Sequence, residues 1–126
     1  MENKKKILIV EDDVAIVSAL SIKLSENEFS ILTARNGEEG LAVALRDHPD
    51  LILLDIVMPK MDGIEMLKKL RADERGKKIQ VIVLTNQSGN EDVAMAIGDN
   101  AFEYLIKTNI KIEEVVKKIK AKLGVQ

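Results

Sequence analysis

The sequence predicts a doubly wound α/β domain, a parallel β-sheet covered by helices on both faces. Three observations carry that expectation: short aliphatic runs recur along the chain, segments with helical periodicity separate them, and the runs end in turn-forming or charged residues. Strands alternating with helices are joined by right-handed crossovers, which leave a parallel sheet with helices on either side. A length of 126 residues suits one domain with a single good core, so the whole chain, 1–126, is expected to be one domain with no further output domain.

"ILIV" (7–10) is the first strand and runs into Glu11-Asp12-Asp13. Val17, Leu20 and Leu24 then share one face of the first helix. "SILTA" (30–34) carries Ser30 and Thr33, which suit an edge strand, and a second helix over Gly37 to Arg46 presents Leu41, Val43, Ala44 and Leu45. His48, beside Pro49, reads as a helix-end residue. "LILL" (51–54) reads as a strand buried on both faces; it leads into Asp55, and the chain breaks at Met58-Pro59 and turns at Asp62-Gly63. Ile64, Leu67 and Leu70 mark the third helix. "VIVL" (81–84) ends in Thr85-Asn86, and Val93, Ala96 and Ile97 mark a fourth helix. "YLI" (104–106) ends in Lys107, before a last helix with Ile112, Val115, Val116, Ile119 and Leu123 on one face. The purely aliphatic first, third and fourth runs are expected to be central.

Composition narrows the function. A formal net charge of −2 gives no sign of a nucleic-acid or membrane-surface binder, and Lys4-Lys5-Lys6 reads as a solvated strand end. The absence of cysteine excludes a disulfide framework, a thiol nucleophile and a cysteine metal site, and it fits a cytoplasmic location. The basic start meets only four apolar residues, unlike a signal peptide, and no apolar run is long enough to span a bilayer.

In a doubly wound sheet, ligands sit outside the carboxyl ends of the strands. Here that edge collects Glu11, Asp12 and Asp13 from strand one, Asp55 from strand three, Thr85 from strand four and Lys107 from strand five. Such carboxylates need a cation, and hard oxygen donors suit Mg²⁺. An acid beside a divalent ion, a hydroxyl and an ammonium together stabilise a transferring phosphoryl group. Asp55 is then the nucleophile, forming an acyl phosphate. Acids after strands also serve as helix N-caps, and Asp13 is expected to open the first helix in that way.

"ILIVEDD", "LILLDIVMPKMDG", "VIVLTN" and "YLIK", in this order and spacing, resemble the receiver domain of two-component response regulators, in particular the single-domain chemotaxis type. The likeness covers nearly the whole chain. It implies a (βα)5, flavodoxin-like fold with strand order 2-1-3-4-5. It also implies an aspartate phosphorylated by a phosphohistidine donor with Mg²⁺ or Mn²⁺. By position, Asp55 is the phosphoacceptor. Asp12 binds the metal directly, Glu11 does so through water, and the Val57 backbone carbonyl completes the metal site. Thr85 and Lys107 contact the phosphoryl oxygens, and Tyr104 is the aromatic switch. A phosphoryl group on Asp55 would draw the Thr85 hydroxyl inward and vacate space for Tyr104, altering the surface of the fourth helix, fifth strand and last helix. The likeness also implies a phosphoacceptor that assists its own phosphorylation and dephosphorylation rather than an enzyme in its own right.

Four positions depart from or refine that pattern. Thr108 stands where the family usually has a proline after the lysine. A non-proline cis bond costs roughly 2.5–4 kcal/mol, so the Lys107-Thr108 bond is expected to be trans with Lys107 still within reach. Asn86 replaces a small residue, either to hydrogen-bond a phosphoryl oxygen or to crowd the donor. Val57 cannot orient a hydrolytic water whereas Gln87 could, so dephosphorylation is expected to be slow to moderate, on the side of a lasting signal.

The implied partners are a histidine kinase or histidine phosphotransfer protein and a downstream output protein, with the chain a monomer or a phosphorylation-dependent dimer. Ile16, Ala19 and Ile22 fall away from the core stripe of the first helix, an apolar face suited to docking a histidine-bearing helical bundle. Ala94 and Met95 are expected on an output surface. A haloacid dehalogenase-type phosphatase would need an acid where Val57 stands, and a flavin carrier would need a glycine- and hydroxyl-rich loop where Glu11-Asp12-Asp13 would repel phosphate. A receiver-like binding module that never accepts phosphate is the remaining alternative.

Overall fold

Aliphatic runs form strands here because β-branched and leucine side chains can be buried on both faces of a sheet whose backbone bonds are satisfied by its neighbours. The computed structural model describes residues 4–85, 103–106 and 111–125, with backbone only at 85, 103, 104 and 106. The described elements are β1 (Lys6–Val10), α1 (Val14–Glu26), β2 (Ser30–Ala34), α2 (Gly37–Asp47), β3 (Leu51–Asp55), α3 (Gly63–Ala72), β4 (Gln80–Thr85), β5 (Glu103–Ile106) and α4 (Ile112–Leu123). All strand pairs are parallel, in the order β2-β1-β3-β4-β5. The expected α/β architecture and strand order are both present. The predicted helix with Val93, Ala94, Met95, Ala96 and Ile97 lies outside the described residues, as do Asn86, Gln87, Lys107 and Thr108.

The aliphatic residues of the central strands are buried, whereas in β2 Ser30 and Thr33 are exposed, Ile31 and Leu32 half-buried and only Ala34 buried, as suits an edge strand. Successive side chains point to opposite faces, so each strand feeds two cores. Ile7, Ile9, Leu51 and Leu53 pack with Leu20 and Leu24 of α1 and with Val115, Val116 and Ile119 of α4. Leu8, Val10, Ile52 and Leu54 pack with Ala44 of α2 and with Met66, Leu67 and Leu70 of α3.

The inward face of α2 differs from expectation. Gly37, Gly40 and Ala44 are its buried residues, whereas Leu41, Val43 and Leu45 are only partly buried. The helix lies too close to the sheet for bulk: a Cβ on Gly40 would stand 2.9 Å from both methyl groups of Val10. In α3, Met66 takes a buried place beside Leu67 and Leu70, while Ile64 sits at the core's margin. His48 caps α2 in the left-handed conformation, the helix-end role expected of it. Among the described residues no helix is long and apolar enough to cross a membrane.

The turn after α3 is closed by charge. Arg71 Nη1 donates to the Gly76 carbonyl at 2.7 Å, and Arg75 Nη2 donates to the Asp73 carboxylate at 2.9 Å. The Arg75 guanidinium, helped by the Arg75 backbone amide, lowers the Asp73 carboxyl from 3.8 to about 2. A depressed folded-state value means this contribution is present above the ordinary carboxylate value and is lost as the pH falls towards 2; because the pair is exposed, it adds little to stability. A carboxyl-carbon NMR titration should give Asp73 a midpoint near 2 that rises towards 3.8 in Arg75→Ala. A midpoint unmoved by that substitution would contradict the assignment.

Candidate functional site

Register brings the acids together before any side chain is chosen. β1 pairs with β3 so that Val10 faces Leu54, and the next residues along, Glu11 and Asp55, are therefore neighbours at the carboxyl edge of the sheet. Asp55 is itself the last residue of β3 and pairs with Leu84 of β4. Glu11 is 2% exposed and Asp55 5% exposed, while Asp12 is open to solvent. One carboxylate oxygen from each of Glu11, Asp12 and Asp55 lies within 4.8 Å of the other two.

Asp13 is excluded from this trio by its own hydrogen bonds. Its Oδ1 accepts from the amides of Ala15 at 3.0 Å and Ile16 at 3.3 Å, so it is the N-cap of α1. Its backbone amide donates to Glu11 Oε1 at 3.1 Å, which steadies the buried glutamate. The structure thus separates Asp12 from Asp13, which spacing alone did not.

The loop from Ile56 to Asp62 is held at both ends. The Gly63 amide donates to the Ile56 carbonyl at 2.8 Å, and the Gly37 amide, opening α2, donates to the Met61 carbonyl at 2.8 Å. Asp62 caps α3 through the Glu65 amide at 2.8 Å. A Cβ on Gly63 would strike the Asp55 carbonyl oxygen and stand 2.9 Å from the Ile56 Cα, while one on Gly37 would strike the Met61 carbonyl oxygen. The close approach of Gly37 escaped the sequence reading, since its partner lies 24 residues away in the chain; the Asn-Gly pair opening α2 was its only trace. Within this loop Ile56 and Met58 are buried and the Val57 side chain is 78% exposed.

Of the other predicted site residues, Thr85 ends β4 one step past the Asp55–Leu84 pair, with its backbone opposite Ile106. Tyr104 lies in β5 with its backbone opposite Val83. The two side chains, and Lys107 as a whole, lie outside the described residues. The expected docking face of α1 is divided. Ile16 and Ala19 are half-buried and line a groove of about 260 Å³ with Leu84, Ile112 and Val115, whereas Ile22 is 62% exposed. Ile16 therefore does not lie opposite the core stripe as expected: it packs against the core cluster one turn before Leu20, and α4 borders it and Ala19.

Comparison with known proteins gives a consistent result. A family model for the response regulator receiver domain matches residues 7–120. The chain is 36% identical over 118 residues to the DNA-binding dual master transcriptional regulator RpaA of Synechocystis sp., covering 94% of this chain and 48% of that protein. It spans about half the length of the first such curated relatives, or less. Among solved structures, a CheY-like response regulator receiver domain protein from Methanospirillum hungatei JF-1 matches with a TM-score of 0.87 at 30% identity, over 97% of this chain and 95% of that one. The phosphorylated cyanobacterial phytochrome response regulator RcpA matches with a TM-score of 0.80 at 32% identity, over 94% and 92%.

The clamp on the Asp55 loop can be tested directly. Gly63→Ala forces a methyl group onto the Asp55 backbone and should cost about 1–3 kcal/mol in urea unfolding. Amide NMR shifts should move most between residues 55 and 63. Wild-type stability with unmoved shifts would show that the contact yields freely.

Proposed function

Since the chain belongs to the response regulator receiver domain family, we propose that it is a phosphorylation-dependent signalling switch with Asp55 as the phosphoacceptor. The observation that carries this reading is the acidic trio: Glu11, Asp12 and Asp55 converge at the carboxyl edge of a parallel sheet, with Asp55 almost wholly buried. A carboxylate held there on a rigid strand end is a positioned nucleophile.

The donor set fits a hard divalent cation, Mg²⁺ or Mn²⁺. Three carboxylates within one ion's span, one of them open to solvent, match an ion that prefers oxygen and retains several waters. Glu11, Asp12 and Asp55, with the Val57 carbonyl, would hold it; when bound, it supplies the positive charge that offsets the carboxylates and the incoming phosphoryl group.

In the proposed transfer an Asp55 carboxylate oxygen attacks the phosphorus of a phosphohistidine donor. The P–O bond forms as the P–N bond breaks, and the imidazole leaves with the electron pair. Thr85 donates its hydroxyl, and Lys107 its ammonium, to the phosphoryl oxygens. Thr85 then moves towards Asp55 and Tyr104 takes the space it leaves, which reshapes the surface around β5 and α4 for an output partner. The donor, a histidine kinase or histidine phosphotransfer protein, docks along α1, where Ile22 is exposed and Ile16 and Ala19 border the groove beside α4. The chain promotes its own phosphorylation and dephosphorylation and otherwise acts by binding, in the cytoplasm.

Intact mass spectrometry after incubation with acetyl phosphate or phosphoramidate tests the chemistry. A phosphoryl adduct is expected with Mg²⁺, none without it, and none in Asp55→Asn. If small donors fail, a phosphorylated histidine kinase replaces them, because Asn86 stands beside Thr85 in the sequence. Failure with both would leave a binding module that works without phosphate.

Decay of the same adduct tests a second expectation. The exposed Val57 side chain has no polar atom with which to orient water, so the acyl phosphate should outlast the scale of seconds by a wide margin. Val57→Asn or Val57→Glu should shorten it. A wild-type lifetime of seconds would contradict this role for Val57.

A further inference from the structure

Glu11 has an acid on one side and a base on the other. Across β3 its neighbour is Asp55; across β2 the ladder pairs Val10 with Ala34, so the next residue, Arg35, stands opposite Glu11. The Glu11 amide donates to the Ala34 carbonyl at 3.0 Å, which extends this pairing to the base of Arg35. Adjacent strands lie about 4.8 Å apart, so the two backbones are close. Beyond them a cleft of about 130 Å³ is lined by Glu11, Asp12, Ser18, Thr33 and Arg35.

We infer that Arg35 is a built-in competitor of the divalent cation, a guanidinium that weakens ion binding at the acidic trio and so sets the ion concentration at which the site fills. Among the described residues the exposed Arg35 has no ion pair or hydrogen bond holding its guanidinium elsewhere. Glu38 and Glu39, the nearest acids along the chain, form no ion pair with it. Arginine keeps its charge at every physiological pH, and its long stem lets that charge reach the shared cleft. A permanent cation beside three carboxylates lowers their attraction for a second cation. Because it is exposed, it does so without sealing the site.

This inference rests on the proposed ion-assisted phosphotransfer, and calorimetric titration of the unphosphorylated protein with Mg²⁺ separates the two. Arg35→Gln should lower the Mg²⁺ Kd about fourfold to tenfold at low salt, as expected for one unit charge acting on a divalent ion across roughly 6–10 Å of water-like dielectric. Arg35→Glu should lower it further, Arg35→Lys should stay near wild type, and the differences should shrink in high salt. An unchanged Kd in Arg35→Gln, or equal tightening by Arg35→Lys, would overturn the inference while leaving the ion site intact. A wild type that binds no Mg²⁺ at tens of millimolar would overturn the inference together with the reading beneath it.

Discussion

Three carboxylates with oxygens within 4.8 Å of one another, on side chains of which two are nearly sealed from water, impose the constraint to which the surrounding structure answers. Like charges at that range repel, and removal from water strengthens the repulsion. No local segment would hold them so. The arrangement persists because it is set by backbone register: the Val10–Leu54 pair places Glu11 beside Asp55 whatever their side chains prefer. That register is in turn fixed by the burial of β1 and β3 on both faces, since a slip of one residue would send every aliphatic side chain to the opposite core. The apolar interior is therefore the force that holds the polar site together.

The loop after β3 extends the same rigidity to the far side of the site. Its two anchoring amides belong to glycines, Gly63 and Gly37, and in each case the missing Cβ is what allows the backbone to approach. α2 shares this closeness, with Gly37, Gly40 and Ala44 buried against the sheet and its leucines packed at the core's margin. Small residues on one helix thus draw it onto the sheet and bring its first turn against the Met61 carbonyl. The position of Asp55 is determined by glycines as much as by acids.

This explains what was legible in the sequence and what was not. Strands with two buried faces announce themselves as aliphatic runs, and the acids that follow them need no three-dimensional knowledge to be noticed, so the architecture and the acidic trio could both be read from the chain. The inward face of α2 could not, because a hydrophobic pattern marks bulk and this face is made of its absence. Gly37 was hidden for a related reason, as its contact is with a carbonyl that any residue could supply. Ile16, expected away from the core stripe of α1, instead packs against the core one turn before Leu20, and Ala19 lines the groove beside α4, since a groove needs two helices and periodicity describes one. Spacing alone did not separate Asp12 from Asp13; the family resemblance did, and the amides of Ala15 and Ile16 give the physical reason.

The caps sharpen the electrostatic argument. Because every crossover in the sheet runs the same way, α1, α2 and α3 all begin at the edge where the acids lie, and helix N-termini carry partial positive charge. Asp13, Asn36 and Asp62 each accept amide hydrogen bonds at those termini. Two of these caps are themselves anionic, so the helix ends are satisfied locally and lend the trio only a weakened long-range field. A cation in the cleft adds to whatever offsets the acids locally, and on the β2 side Arg35 is a described residue lining the same cleft as Glu11 and Asp12. A cluster of acids left with only a weak helix field is sensitive to any charge added beside it, whether an ion, a guanidinium or a phosphoryl group.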